Sequence, residues 1–317
     1  MSSLIEKAAQ RLEQLRQAGA DMPPESDVAA PAPAAVVAPV TAVASPTASP
    51  VEAPKEAVKV VSKSVRLDLA ALTEAGFVTP NAPRAVIADE YRVIKRPLIA
   101  NATGKGASAV AHGNRIMVTS AMPGEGKSFT AINLAMSIAM ELDYTVLLVD
   151  ADVSRPSIMK TLGLPPGPGL LDLLTNDGME MSDTLLRTNI DKLSLLPSGT
   201  PHPRATELLA SDAMTALIEE MGHRYPDRII IFDSPPLLLT TESRVLASHM
   251  GQIVMVVQAE KTLQSQVKHA LTTIESCPIK LMVLNQVHGG DQDAHGYGYG
   301  YGSSASSETS ASRSAAA

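Results

Sequence analysis

The chain has 317 residues, formal charge −7 from 26 Lys+Arg against 33 Asp+Glu, and a single cysteine. That length accommodates one large domain plus tails, and the absence of a long basic run argues against a nucleic-acid partner. The lone Cys277 cannot form an internal disulfide, which fits a reducing cytosol.

Residues 2–17 have the periodicity of a short amphipathic helix: Ser3 and Glu6 are spaced as a capping box, and Leu4, Ile5, Ala8, Leu12 and Leu15 gather on one side. Two readings stand, a surface helix or a docking peptide for another protein. Residues 21–64 are dominated by Ala, Pro, Val, Ser and Thr, with prolines at 23, 24, 31, 33, 39, 46, 50 and 54, which predicts a semi-extended linker. The N-terminus lacks a basic start followed by an apolar core, and no window of about twenty apolar residues occurs, so neither a signal peptide nor a spanning helix is expected.

Order is expected to resume near 65–72, and 88–98 (ADEYRVIKRPL) has helical spacing with dense charge around Tyr91, Ile94 and Leu98. That helix is either a solvated face or a source of intersubunit ion pairs. Residues 115–119 form an apolar, β-branched run that predicts a buried strand, followed by Ala121-x-x-x-x-Gly126-Lys127-Ser128 and then a helical repeat at Ala131, Leu134, Ala135, Ile138 and Leu142. Strand, loop and helix in that order define a phosphate loop. Successive backbone N–H groups and a helix N-terminus form an anion site, with Gly124 and Gly126 permitting close approach. Lys127 is placed for the β/γ-phosphates of a nucleoside triphosphate and the Ser128 hydroxyl for Mg²⁺, and Pro123, Gly124, Glu125, Gly126, Lys127, Ser128 and Phe129 form the expected nucleotide-binding segment.

A second strand, 145–149, ends on Asp150-Ala151-Asp152, and a third, 228–232, ends on Asp233. Carboxylates at the carboxyl ends of parallel strands sit where ligands bind in open α/β sheets, which favours metal or base chemistry over simple turns. Further expected elements are a short helix at 170–174, strands at 192–196, 252–257 and 280–285, and helices at 205–221 and 262–276. The alternation predicts an α/β P-loop fold, a mostly parallel sheet covered by helices on both faces. Asn285, closing the last strand, is either a base contact or a polar strand terminus. Residues 295–302 read HGYGYGYG and hold Tyr297, Tyr299 and Tyr301, half of the six tyrosines, a composition expected to stay flexible and to offer hydroxyl acceptors. The expected layout is a helix at 1–20, a linker at 21–64, the P-loop domain at 65–286 and a tail at 287–317.

SAMPGEGKS at 120–128, VLLVDADVSRPS at 146–157, IIIFDSPP at 229–236 and the Tyr–Gly cluster together resemble the bacterial tyrosine kinases, most closely the soluble exosortase-associated autokinases of exopolysaccharide systems. The resemblance runs from about residue 83 to 302. It implies an ATP- and Mg²⁺-dependent protein-tyrosine autokinase that regulates exopolysaccharide synthesis, chain length or export. Lys127 and Ser128 would hold phosphates and Mg²⁺; Asp150 and Asp152 would aid the metal and orient or deprotonate the tyrosine, with Asp150 as base; and Asp233 would support the metal. Tyr297, Tyr299 and Tyr301 would be the phosphoacceptors. The implied partners are further copies of itself in a ring, a membrane chain-length-control protein acting as activator, and a tyrosine phosphatase, with the chain cytoplasmic and recruited to the inner membrane.

Two positions depart from the family pattern. Ser154 stands before Arg155 where two basic residues are common. The ring-forming Glu-x-x-Arg-x-x-Arg pattern is represented by Asp89-x-x-Arg92-x-x-Lys95, which replaces a bidentate Arg by Lys. The competing class is a positioning or partitioning ATPase acting as a nucleotide-dependent switch. Proteins resembling that class carry a second lysine five positions before the main one, where this chain has Met122.

Overall fold

The computed structural model describes residues 63–106, 109–224 and 227–287. The expected N-terminal helix, nearly all of the linker and the tail with Tyr297, Tyr299 and Tyr301 lie outside the described residues.

Eight strands form one sheet in the order β1-β4-β5-β3-β6-β2-β7-β8. They are β1 (Lys63–Ser64), β2 (Arg115–Ser120), β3 (Thr145–Asp150), β4 (Leu186–Arg187), β5 (Leu193–Leu196), β6 (Arg228–Asp233), β7 (Gln252–Gln258) and β8 (Ile279–Asn285). All neighbours pair in parallel except β4 and β5. The central strands are near-continuous apolar runs because both of their faces are buried. Along them the period of two sorts side chains into two cores. Ile116, Val118, Val146, Leu148, Ile229 and Ile231 belong to one core, while Met117, Leu147, Val149, Ile230 and Phe232 belong to the other.

The first core is covered by helices α2 (Val86–Ala102) and α3 (Lys127–Ala139), which contribute Leu98, Ile99, Leu134, Met136 and Ile138. Before them stands the short α1 (Leu69–Glu74), capped by Asp68, whose carboxylate accepts from the Ala70 and Ala71 amides. The chain then adds α4 (Ile158–Thr161), α5 (Leu170–Thr175) and α6 (Met181–Thr184). The second core is covered by α7 (Ala205–Leu209), α8 (Asp212–Arg224), α9 (Glu242–Ala247) and α10 (Gln264–Thr272), with Met214, Ile218 and Met221 of α8 fully buried. Each such side chain contributes roughly 1.5–3 kcal/mol of burial.

Several expectations change in detail. The helix expected over 205–221 is two helices, because the Ser211 hydroxyl accepts the Met214 N–H (3.2 Å) and starts a new one. The helix expected over 88–98 extends to Val86–Ala102, and that over 262–276 shortens to Gln264–Thr272. Lys63–Ser64 is a strand rather than the end of a linker: it pairs with Leu186–Arg187 at one edge of the sheet. β8 forms the opposite edge.

Lys95 is turned inward. Its ammonium donates to Ser137 O (2.6 Å) and pairs with Glu141 (2.8 Å), whose carboxyl it holds below the usual range. Of the three charges expected at an intersubunit edge, only Asp89 and Arg92 stay exposed, paired with each other. Lys95 is therefore committed to joining α2 to α3 within one chain. No helix among the described residues is long and apolar enough to cross a membrane.

Candidate active site at the carboxyl ends of β2, β3 and β6

Sheet order builds the site. β6 lies between β2 and β3, so the loop after β2 and the aspartates ending β3 and β6 meet at one end of three adjacent strands. Asp150 and Asp233 are register partners.

The loop after β2 has two residues in the left-handed region, Gly124 (φ 84°) and Gly126 (φ 93°), the second serving as N-cap of α3. A Cβ on Gly126 would lie 2.0 Å from Asn285 Nδ2, so both conformation and space require glycine there. The loop is stapled from outside. Glu125, buried, accepts the Met122 N–H (2.8 Å) and the Thr262 hydroxyl. Asn285 Nδ2 donates to Glu125 O (2.9 Å), and Gln286 Nε2 donates to Gly124 O (3.0 Å). Asn285 thus braces the loop backbone at the end of β8. Phe129 turns away from the loop and packs on Phe77, with ring centroids 4.8 Å apart. Met122, in the place of a second lysine, packs against the second apolar core.

Lys127 leads α3 and points at the acids. Its Nζ lies 2.7 Å from Asp152 Oδ2 and 3.7 Å from Asp233 Oδ1. Burial by itself lowers the ammonium pKa, but the Asp233 and Asp152 carboxylates outweigh it and hold the group above its ordinary value. Asp150 Oδ2 accepts the N–H groups of Ser157 (3.1 Å) and Ile158 (3.0 Å), capping α4, while its Oδ1 has no hydrogen-bond partner. Burial and then the Asp233 charge push Asp150 up to about 7, against the opposing effect of the Ile158 N–H. Asp233 is fully buried, with the Lys127 ammonium 3.7 Å from its Oδ1, and burial, partly offset by Lys127 and Ser128, raises it to about 6.

Ser128 sits among these groups: its hydroxyl receives that of Ser157 (2.9 Å) and the Lys127 ammonium (3.3 Å). Asp152 Oδ1 accepts the Arg155 N–H (3.1 Å), closing the turn after β3. The structure therefore brings Lys127, Ser128, Asp150, Asp152 and Asp233 together, with Asn285 at the loop's flank. Sequence reasoning missed Ser157 and Thr262. Ser157 closes the quoted 146–157 motif, a signal within reach, whereas Thr262 has no signal of its own.

A half-buried lysine among three aspartates, above a glycine loop at the carboxyl end of a mostly parallel sheet, defines a P-loop nucleotide-binding protein. Comparison with known proteins narrows the class. The AAA domain family model matches residues 113–283. Tyrosine-protein kinase YwqD of Bacillus subtilis (strain 168) is 30% identical over 219 residues, covering 69% of this chain and 88% of YwqD. Among solved structures, the chimerical protein CapA2B2 superposes with TM-score 0.55 at 28% identity, over 67% of this chain and 97% of that one. The kinase domain of Escherichia coli tyrosine kinase ETK gives TM-score 0.52 at 28% identity, over 59% of this chain and 73% of that one. The chain belongs to the bacterial tyrosine kinases, within the AAA domain family.

Proposed function

We propose that this chain is an ATP-dependent protein-tyrosine autokinase that phosphorylates Tyr297, Tyr299 and Tyr301 of its own tail and thereby regulates exopolysaccharide synthesis or export. The observation that carries this reading is the pairing of Asp150 with Asp233 across adjacent strand ends, beside Lys127. Two buried carboxylates raised towards neutrality, facing each other across adjacent strand ends, suit a site built to receive a cation and to accept a proton.

Mg²⁺ fits these residues. Among the described residues no three His, Cys, Asp or Glu side chains form a ready metal cage, and Mg²⁺ commonly takes one or two carboxylates plus substrate phosphates and waters. Ser128, Asp152 and Asp233 would hold it, and it would supply neutralisation of phosphate charge. The loop N–H groups from Gly124 to Phe129 and the Lys127 ammonium bind the triphosphate, with Pro123 shaping the loop and Lys127 exchanging its carboxylate partners for phosphate oxygens. Asp150, with one free oxygen, takes the phenolic proton as the tyrosine oxygen bonds to the γ-phosphorus. The bond from that phosphorus to the β–γ bridging oxygen breaks, and ADP leaves. Asn285 contributes by bracing the loop.

Around this chemistry we place the cellular setting implied by the family. A membrane chain-length-control protein recruits the cytoplasmic chain to the inner membrane and activates it. Copies assemble through the exposed Asp89 and Arg92, transfer occurs between copies, and a tyrosine phosphatase resets the tail. The test is incubation of the purified full chain with Mg·ATP followed by phosphotyrosine mapping. Label on Tyr297, Tyr299 and Tyr301 that vanishes in Lys127→Met is expected; ATP hydrolysis without any phosphotyrosine defeats the proposal.

A further inference from the structure

The chain after β6 is held rigidly. Leu237 N donates to Ser120 O (2.8 Å), the Thr119 hydroxyl donates to Pro235 O (2.9 Å), and Leu239 N donates to Pro236 O (3.3 Å). Two consecutive prolines restrict the turn further. Of the consecutive leucines that follow, Leu237 is fully buried, whereas Leu239 is 57% exposed. Leu239, Pro235 and Pro236 line a cavity of about 570 Å³ that Lys127 and Asp152 also line. Nucleotide and metal chemistry has no use for an apolar side chain fixed there, and the core does not use it either.

The tail offers a matching group. Each of Tyr297, Tyr299 and Tyr301 has glycine on both sides, so no adjacent side chain can distinguish the acceptor and the ring is the available handle. The tail also begins beside the cavity: Gln286 donates to Gly124 O, and Gly124 lines the same cavity. The ten residue steps from Val287 to Tyr297 then reach up to roughly 35 Å. Aromatic rings bury large apolar area while keeping a polar tip, which is the division this cavity presents between its leucine–proline and lysine–aspartate residues.

We infer that Leu239, with Pro235 and Pro236, forms the shelf that receives the acceptor tyrosine ring of the Tyr–Gly tail, so that the site reads the ring itself rather than its neighbours. This rests on the reading of the site as a tyrosine kinase. It predicts tolerance of any flanking sequence small enough to enter, and competition by rings that lack the hydroxyl.

The experiment uses the full chain carrying Tyr297→Ala, Tyr299→Ala and Tyr301→Ala, with the peptide HGYGYGYG as acceptor. Leu239→Asp should raise the KM for the peptide about tenfold, the loss expected for removing a buried leucine–ring contact. The kcat should stay within about twofold and the KM for ATP should be unchanged, while Leu239→Phe, which keeps the shelf apolar, stays near the parent. The peptide HGFGFGFG should inhibit competitively against the tyrosine peptide, and about tenfold less well in Leu239→Asp. An unchanged peptide KM in Leu239→Asp, or no inhibition by the phenylalanine peptide, overturns the shelf while leaving the kinase reading intact. A parent chain that hydrolyses ATP but phosphorylates no tyrosine overturns both.

Discussion

Lys127 Nζ and Asp152 Oδ2 lie 2.7 Å apart, so the lysine of the phosphate loop is already ion-paired before any phosphate arrives. Binding nucleotide must exchange that carboxylate for phosphate oxygens, and the cluster of Asp150, Asp152 and Asp233 is left short of positive charge when it does. This is the electrostatic vacancy that a divalent cation suits.

Removing single members of the cluster should therefore act on the chemistry rather than the fold. Lys127→Met, Asp152→Asn and Asp233→Asn are each expected to lower autophosphorylation by about 10²-fold or more, the usual effect of losing a preorganised charge at phosphoryl transfer. Anti-phosphotyrosine signal and the far-ultraviolet circular dichroism of each variant check this. Near-parental rates in all three would remove them from the mechanism.

The raised carboxyls make a prediction about pH. Asp150, at about 7 when folded, binds its proton more tightly in the native than in the unfolded chain, so its stabilising effect is complete below the ordinary carboxyl pKa and is lost as pH rises through 7. Nucleotide-free Asp150→Asn should then melt higher than the parent at pH 8, by roughly 4 °C or more, with the gain shrinking towards pH 5. Thermal melts across that range decide it, and a pH-independent difference would contradict the assignment.

Transfer between copies is the expected route. About sixteen residues separate Asn285 from Tyr301, a reach of up to roughly 50 Å, comparable to the diameter expected of a domain this size. Mixing a Lys127→Met chain with a chain carrying Tyr297→Phe, Tyr299→Phe and Tyr301→Phe should label the tail of the former. An unlabelled tail, with parental self-labelling at a concentration-independent rate, would show transfer within one chain.

The α2 charges divide into two kinds. Lys95→Ala leaves Glu141 only the more distant Arg96 (3.5 Å) and takes the donor from Ser137 O, and should cost about 1–2 kcal/mol of stability. Arg92→Glu, on the exposed side, should leave the melting temperature within a degree or two and instead reduce assembly. Melts and analytical ultracentrifugation separate the two effects; equal melts for both variants would deny the division.

The proposed activator offers a direct test. Adding the cytoplasmic segment of a chain-length-control protein encoded nearby is expected to raise autophosphorylation several-fold in a radiolabel assay. Full activity of the isolated protein, with no binding of that segment, would dismiss the partner.

Much of the fold was legible in the sequence because its central strands are buried on both faces and so read as unbroken apolar runs. Arg115–Ser120 and Arg228–Asp233 announce themselves in that way. The two-residue strands β1 and β4 did not, since two residues carry no period and β1 pairs only with a partner more than a hundred positions away. The break at Ser211 was readable in principle from a serine before an aspartate, but the apolar repeat runs through it and masks it. At the site, Lys127 was legible from the phosphate-loop pattern and the three aspartates from their place at strand ends. Thr262 was not: it meets Glu125 only because β7 lies beside β2. The inward turn of Lys95 was not legible for the converse reason, as helical spacing alone does not say which charge has the half-buried Glu141 waiting for it.

The two ends of the described chain leave from opposite borders of the sheet, Lys63 from β1 and Val287 just past β8. Seven strand spacings separate those borders, roughly 33 Å. A molecule anchored through its N-terminal segment would be moored by one border with the other unencumbered. Under the proposed function, an N-terminal fusion or surface attachment should leave the phosphorylation pattern unaltered where a C-terminal one would not.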